Sequence, residues 1–145
     1  MQVTATACSA SAPTPTSTSS TEPPYVPKSP SEILRIDNSC PSSIISSSDV
    51  GSPTTDRYNC QEDTDFGNND IMWFTAYTLQ ACIDACSSYN VGNKTNTPCK
   101  GVALAEDLSH QYNVNGGANC WLKLGVEKDG FSKSPTVTLA WLVEA

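Results

Sequence analysis

Histidine and basic residues are scarce in this chain of 145 residues. It contains one histidine, His110, and 8 Lys and Arg residues against 15 Asp and Glu residues, which gives a formal net charge of -7 at pH 7. Binding to nucleic acid needs a basic surface that neutralises phosphate, so this balance argues against nucleic acid as a partner. A single histidine also excludes a multi-histidine metal site and leaves little for histidine-based catalysis.

Long apolar runs are absent too. No stretch of about 18 apolar residues occurs, so we expect no membrane insertion of this fragment. The first residues also lack a basic segment followed by an apolar one, which is the pattern of a secretory signal, and we therefore expect a processed fragment that begins near Gln2 behind an added Met1. Only 16% of the residues are charged and 10 are proline, a composition typical of secreted proteins.

Catalytic motifs are missing as well. No Gly-x-Ser-x-Gly sequence occurs, and the single histidine leaves only one candidate for a base beside a serine nucleophile. We therefore expect no enzyme, no catalytic residue and no cofactor.

Four acidic residues lie close together near the middle of the chain. Glu62, Asp63, Asp65 and Asp70 flank Gly67 and could supply oxygen ligands to calcium or a glycosidase acid and base. Their spacing differs from the regular calcium-binding loop, and a small disulfide-rich domain seldom has the deep cleft that separates the pKa values of two carboxyl groups. We therefore predict a solvated hairpin turn here and no metal site.

The first 31 residues form a low-complexity segment. They include 7 Ser, 6 Thr and 6 Pro, which favour an extended and solvated backbone. The segment is typical of an O-glycosylated stalk or spacer, and its alternative is a flexible tail without a role. Cys8 lies in this segment and could form an intermolecular disulfide that supports self-association of the tail, pair with a cysteine outside this fragment, or remain a free thiol. We expect a folded domain over residues 32 to 145.

The folded segment shows one clear helix among short strands. Leu79, Cys82, Ile83 and Cys86 have helical spacing, and Thr78 is a suitable N-cap, so we predict a helix from Leu79 to about residue 89. Strands are predicted at 33–37, 58–60, 71–74, 101–105, 119–124 and 137–143. Along the last strand the residues alternate between two sides, with Val137, Leu139, Trp141 and Val143 on one and Thr138, Ala140, Leu142 and Glu144 on the other. This pattern indicates an α+β fold, a small antiparallel sheet with one main helix packed on it.

Six of the seven cysteines lie in the folded segment, at positions 40, 60, 82, 86, 99 and 120. In a secreted chain this number indicates three disulfides, and spacing alone leaves many pairings open. Zinc is a weaker alternative, because only Cys82 and Cys86 are close in sequence. These two share a helical face, so a bridge between them is the least favoured pairing and each should reach a separate strand.

Three short motifs resemble the apple (PAN) module found in secreted and surface proteins of filamentous fungi. They are YTLQACIDAC at 77–86, CKGVA at 99–103 and NCWLK at 119–123, and the likeness extends over residues 38 to 143. The resemblance implies the disulfides Cys82–Cys120 and Cys86–Cys99, which leaves Cys40 and Cys60 as the third pair. The chain departs from the animal apple pattern in that no cysteine follows Cys120.

Surface recognition is expected to use aromatic residues. Strand alternation places Cys120, Leu122 and Leu124 on one face and leaves Trp121 and Lys123 on the other. An exposed tryptophan beside a lysine can stack on a sugar ring or anchor a protein partner, whereas the alternative is that Trp121 packs under the long loop. Tyr112, Trp73 and Trp141 are weaker candidates, and Trp141 is more consistent with the core. Asn93 begins an N-glycosylation sequon, Asn-Lys-Thr.

These observations favour a non-enzymatic extracellular binding or adhesion module. We expect it to be secreted or displayed on its stalk at a fungal cell surface or wall, and the resemblance implies protein or carbohydrate ligands. The alternative is a structural subunit of an extracellular fibre or matrix, assembled through the N-terminal segment.

Overall fold

The computed structural model describes residues 23–42, 45–46, 55–92 and 96–143. Cys8, most of the Ser/Thr/Pro segment and the sequon at Asn93 lie outside these ranges. In the part of the chain that the structure describes, no helix has the length and apolar content of a membrane-spanning segment.

The described residues form an α+β domain with two sheets and two helices. The strands are β1 (Ile45–Ser46), β2 (Arg57–Gln61), β3 (Thr64–Phe66), β4 (Asp70–Phe74), β5 (Gly101–Ala105), β6 (Cys120–Lys123), β7 (Phe131–Lys133) and β8 (Val137–Leu142). The helices are α1 (Leu79–Gly92) and α2 (Leu108–Val114), and 3-10 turns lie at Pro30–Glu32 and Lys128–Gly130. Six strands form one sheet in the order β1-β2-β8-β5-β6-β4, and β3 pairs with β7 in a small second sheet. Each of these strand pairs is antiparallel.

Helix α1 begins where the sequence predicts. The Thr78 hydroxyl accepts a hydrogen bond from the Ala81 backbone N–H at 3.0 Å, which is the usual N-cap interaction and satisfies one N–H group of the first turn. The apolar positions Cys82, Ile83 and Cys86 are fully buried against the sheet. The prediction of this helix is confirmed, although the helix continues three residues beyond residue 89 to Gly92.

Helix α1 covers one face of the six-stranded sheet. Strand alternation directs Val102 and Leu104 of β5, and Leu122 of β6, into a core cluster with the buried face of α1. Within this cluster the Tyr58 hydroxyl and the Ser87 hydroxyl are hydrogen-bonded at 2.8 Å, so the buried polar ends of both side chains have a partner.

The other face of the sheet is covered by the β3–β7 ribbon. Its core cluster contains Ala103 and Leu139 from the large sheet and Phe66 from β3. Phe131 of β7 packs edge-on against Phe66 and against Trp141, with ring centroids 6.4 and 5.1 Å apart. The central strands β5 and β8 are therefore buried on both faces, whereas the edge strand β4 is largely exposed. This arrangement confirms the alternation predicted for the last strand, because Leu139 and Trp141 face this cluster while Ala140 and Leu142 face the other.

Three disulfides connect these layers. Cys82–Cys120 joins α1 to β6, Cys86–Cys99 joins α1 to the segment before β5, and Cys40–Cys60 joins the N-terminal segment to β2. These are the pairs that the resemblance to the apple module implies. Cys82 and Cys86 bond to different segments, as their shared helical face predicts, but only Cys82 reaches a strand, since Cys99 lies two residues before β5.

The segment at 33–37 is not a strand, so this prediction is wrong. The Ile33 carbonyl accepts from the Ser109 N–H at 2.8 Å, and the Ile36 N–H donates to the Glu106 carbonyl at 2.9 Å. The backbone therefore binds the start of α2 and the turn before it instead of a neighbouring strand. Helix α2 itself was not predicted, because it has only one buried apolar residue, Leu108, and no amphipathic repeat.

The predicted acidic turn contains strand β3. Thr64 and Phe66 are buried in this stretch, whereas Glu62 and Asp63 on its N-terminal side are exposed. The prediction of a solvated turn is therefore wrong for residues 64–66, because β3 pairs with β7, which lies more than 60 residues further along the chain.

Candidate binding groove

A groove of about 320 Å³ opens on the ribbon-covered face of the sheet, beside the β3–β7 ribbon. It lies between β3, the turn before β4, helix α2 and the turn before β8. It is lined by Asp65, Gly67, Asn68, Asp70, Ala105, Gln111, Asn115, Trp121, Lys123, Ser134, Thr136 and Val137. We call this concavity the Trp121 groove. Its volume is at the lower end of the range for small-ligand pockets.

Small residues on β5 make room for Trp121. Ala103 is the cross-strand partner of Trp121, and Gly101 is the partner of Lys123, so neither large side chain meets a bulky neighbour on that side. Trp121 is half-buried at the margin of the second core cluster. Within the described ranges its indole N–H has no hydrogen-bond acceptor. The ring is therefore fixed by packing while its polar atom remains available to a ligand.

Lys123 is buried, although it shares with Trp121 the face of β6 on which the sequence predicts an exposed tryptophan. Only 3% of the residue is exposed. Its ammonium group binds the Asp70 carboxylate at 2.5 Å and the Asn68 carbonyl at 3.4 Å. Alternation along β6 predicts the face of Lys123 correctly, but the residues before β4 then cover that face and remove the side chain from bulk water.

The turn that covers Lys123 has an unusual backbone. Asn68 and Asn69 both have positive φ values, 70° and 60°, in the left-handed region where asparagine is tolerated better than most residues. The Asn69 carbonyl accepts from the Leu124 N–H at 2.8 Å, which holds the turn on the end of β6. The two asparagines are therefore the sequence signal for this turn, although nothing local indicates where it packs. Leu124 lies beyond the strand and is exposed, contrary to its predicted place beside Leu122.

Helix α2 provides the polar wall of the groove through Gln111 and Asn115, which are one helical turn apart. The Gln111 amide nitrogen donates to the Asp107 carboxylate at 3.2 Å, and the Asn115 amide nitrogen donates to the Gln111 amide oxygen. This chain of hydrogen bonds orients both amides. In the described part of the chain the amide oxygen of Asn115 has no donor, so it can accept a hydrogen bond from a ligand.

The structure brings together the two main candidates for ligand binding but not the weaker ones. Trp121 and Lys123 both line the groove, whereas Tyr112 does not, since it lies on α2 against Gly117 and is exposed. Trp73 is the cross-strand partner of Trp121 and is 60% exposed, but it also lies outside the lining. Trp141 packs against the second core cluster.

The predicted acidic residues do not converge on one point. Glu62 accepts a hydrogen bond from the Cys40 N–H at 3.0 Å, while Asp70 is paired with Lys123 in the groove. Among the residues that the structure describes, no cluster of three potential metal ligands occurs. Asp37, which is not one of these four residues, is exposed and lies outside the Trp121 groove. Hydrogen bonds from the Ser39 hydroxyl and N–H lower the pKa of its carboxyl group. In the groove the Asp70 carboxylate accepts from Lys123, and the Asp65 carboxylate accepts from the Phe66 N–H at 2.7 Å and keeps a second oxygen that can accept from a ligand.

Comparisons of the chain with protein-family models, with curated proteins and with solved structures find no match. A function for the chain therefore has to be inferred from the chemistry of its own residues.

Proposed function

We propose that the chain is an apple-like, non-enzymatic module that binds a protein or carbohydrate ligand outside the cell, at a fungal cell surface or wall. The Ser/Thr/Pro segment acts as the stalk that displays the domain, and Asn93 is glycosylated. The ligand binds in the Trp121 groove.

Three disulfides in one small domain support the extracellular part of this proposal. Such bridges form and persist in oxidising compartments and are rare in the cytosol. The order of helix, Cys-Lys-Gly-Val strand and Cys-Trp-Leu-Lys strand supports the apple-like part, because these elements carry the motifs of the resemblance.

The observation that carries the binding role is the combination of Trp121 and Lys123 in one concavity. Burying a lysine is costly, and a hydrophobic residue of similar volume often stabilises a fold as well or better. Stability alone therefore does not explain a buried cation at this position, and its place beside a half-buried tryptophan supports a role in recognition. His110 is exposed on α2 and does not line the groove, so the one histidine of the chain is not part of this site.

The test is binding of the full chain to isolated fungal cell walls, measured by co-sedimentation. We expect the wild-type chain to sediment with the walls and Trp121→Ala to bind about tenfold more weakly, as for an aromatic anchor. Trp73→Ala is the matched control, because Trp73 is the exposed cross-strand neighbour outside the groove. Equal binding of both variants would remove the groove from the proposal.

The alternative role, a structural subunit assembled through the N-terminal segment, depends on residues outside the described ranges. Light scattering of the full chain separates the two roles. A monomer agrees with the binding module. Polymers that become smaller with Cys8→Ser would instead establish the subunit role.

A further inference from the structure

The Trp121 groove is lined mainly by polar side chains that carry both donors and acceptors. Asp65 and Asp70 offer carboxylate oxygens, Asn115 offers an amide oxygen, and Ser134 has a hydroxyl that can donate and accept. A sugar hydroxyl also donates and accepts, so it can be matched by such neighbours. A protein partner would instead insert an apolar anchor into an apolar pocket. The polar lining therefore favours a saccharide over a protein.

Trp121 supplies the one large aromatic surface among the lining residues. The faces of a sugar ring carry C–H groups while its hydroxyls point outward from the edge. Such a ring can bury one face against an indole and direct its hydroxyls to a polar rim. The half-buried position of Trp121, fixed by the core cluster behind it, provides a surface of this kind.

The ammonium group of Lys123 has an unused donor. It has three N–H groups, and within the described ranges it meets two acceptors, the Asp70 carboxylate and the Asn68 carbonyl. Lys123 lines the groove, so the third N–H can reach a ligand oxygen there. An unpaired donor on a buried cation is unfavourable, and a bound hydroxyl would satisfy it.

The charges around the groove disfavour an anionic ligand. The positive charge of Lys123 is already compensated by Asp70, and Asp65 adds a second carboxylate to the lining. The whole chain carries a net charge of -7. A uronate or sulfated sugar would therefore be repelled, whereas a neutral sugar pays no such cost.

We propose that the Trp121 groove binds a neutral saccharide, which stacks on Trp121 and hydrogen-bonds through its hydroxyls to Lys123, Asp65 and Asn115. This inference rests on the proposed function, since it names the ligand class of the same groove.

Isothermal titration of the full chain tests the ligand class. The probes are neutral oligosaccharides of glucose, mannose, galactose or N-acetylglucosamine, with oligosaccharides of uronic acids in parallel. We expect at least one neutral probe to bind and the uronates to bind about tenfold more weakly or not at all. Absence of binding by every neutral probe, or tighter binding of the uronates, overturns the inference.

Matched variants test the position of the sugar. Trp121→Ala and Asn115→Ala should each weaken binding of the neutral probe, by about tenfold and about threefold. Trp73→Ala and Asn113→Ala are the controls, since Asn113 is exposed on the same helix outside the groove lining and its amide nitrogen donates to the Ser109 carbonyl. The controls should bind like the wild type. Trp121→Phe retains an aromatic face and should retain most of the affinity, which separates stacking from loss of folding.

Treatment of the walls separates this inference from the proposed function. A mixture of glucanase, chitinase and mannanase hydrolyses the wall saccharides, while protease removes wall proteins. Binding that depends on Trp121 and is lost only after the glycosidase mixture supports the saccharide. Binding that depends on Trp121 but is lost only after protease overturns the saccharide and leaves the binding module in place.

Discussion

Asn119 and Ala76 exchange hydrogen bonds in both directions. The Asn119 amide nitrogen donates to the Ala76 carbonyl at 2.8 Å, and its amide oxygen accepts from the Ala76 N–H at 2.7 Å. The same amide nitrogen lies 3.3 Å from the Ala105 carbonyl, and Asn119 is fully buried. One side chain thus ties the segment before α1 to the end of β5, directly beside the strand that carries Trp121.

Replacing Asn119 by alanine should destabilise the domain by about 2–4 kcal/mol, because the Ala76 N–H and carbonyl would remain buried without partners. Urea unfolding followed by circular dichroism measures this change. Asn113→Ala is the control, since Asn113 is exposed on α2, and it should change the free energy of unfolding by less than about 0.5 kcal/mol. Similar effects of the two substitutions would show that the Asn119 network contributes little.

The ion pair between Lys123 and Asp70 should respond unequally to loss of either partner. Asp70→Asn leaves the buried ammonium group without its counter-charge, and we expect a loss of about 1–3 kcal/mol, reduced by water because the Asp70 side chain is 34% exposed. Lys123→Met removes the buried charge and keeps the aliphatic volume, so its effect should stay within about 1 kcal/mol.

The variant that carries both substitutions completes a double-mutant cycle for this ion pair. Adding Lys123→Met to Asp70→Asn should recover most of the lost stability, because the uncompensated charge is then gone. Additive losses in denaturant unfolding would contradict this account. The ligand experiment gives an independent reading, since Lys123→Met also removes the N–H donor and should weaken binding of a neutral saccharide.

Local patterns predicted the parts of the fold that local chemistry determines. The helical spacing of Leu79, Cys82 and Cys86 with Thr78 as N-cap indicated α1, and the alternation along the last strand separated the two core clusters. Helix α2 and the β3–β7 ribbon depend on distant contacts, since β3 pairs with β7 across more than 60 residues. No local pattern could indicate them.

Only part of the candidate site follows from local patterns. Alternation placed Trp121 and Lys123 on one face of β6, and the structure agrees. It could not show that the Asn68 turn folds over Lys123, or that α2 brings Asn115 to the opposite wall, because both depend on tertiary packing. Tyr112 lies on α2, which no local pattern predicts, and it does not line the groove.

Gly101 should not tolerate a side chain. A Cβ atom at this position would lie 2.6 Å from the Ala140 carbonyl oxygen and 2.7 Å from a Val126 methyl group. The carbonyl belongs to the neighbouring strand β8 and cannot move without disturbing the ladder, so Gly101→Ala should destabilise the domain by about 1–3 kcal/mol. Thermal unfolding measures this loss. Gly125→Ala is the control, because its Cβ would meet only the Asn69 amide at 3.8 Å, and its midpoint should be nearly unchanged.

The three disulfides should contribute unequally to stability. In the chain-entropy model, the cost of losing a bridge increases with the length of the loop it closes. The separations are 38 residues for Cys82–Cys120, 20 for Cys40–Cys60 and 13 for Cys86–Cys99. Removal of Cys82–Cys120 should therefore cost about 4 kcal/mol and removal of either other bridge about 3 kcal/mol.

Burial reinforces this ranking for Cys82–Cys120. Both of its cysteines are fully buried, as are Cys86 and Cys99, whereas Cys40 and Cys60 are only half-buried. Alanine therefore leaves a cavity at both buried bridges, and pairwise Cys→Ala variants should lose thermal stability most at Cys82 and Cys120, where the longest loop is also released. Differential scanning calorimetry of the three pairs measures the order directly. A larger loss at Cys40 and Cys60 than at Cys82 and Cys120 would mean that neither loop length nor packing of the helix governs the stability of this domain.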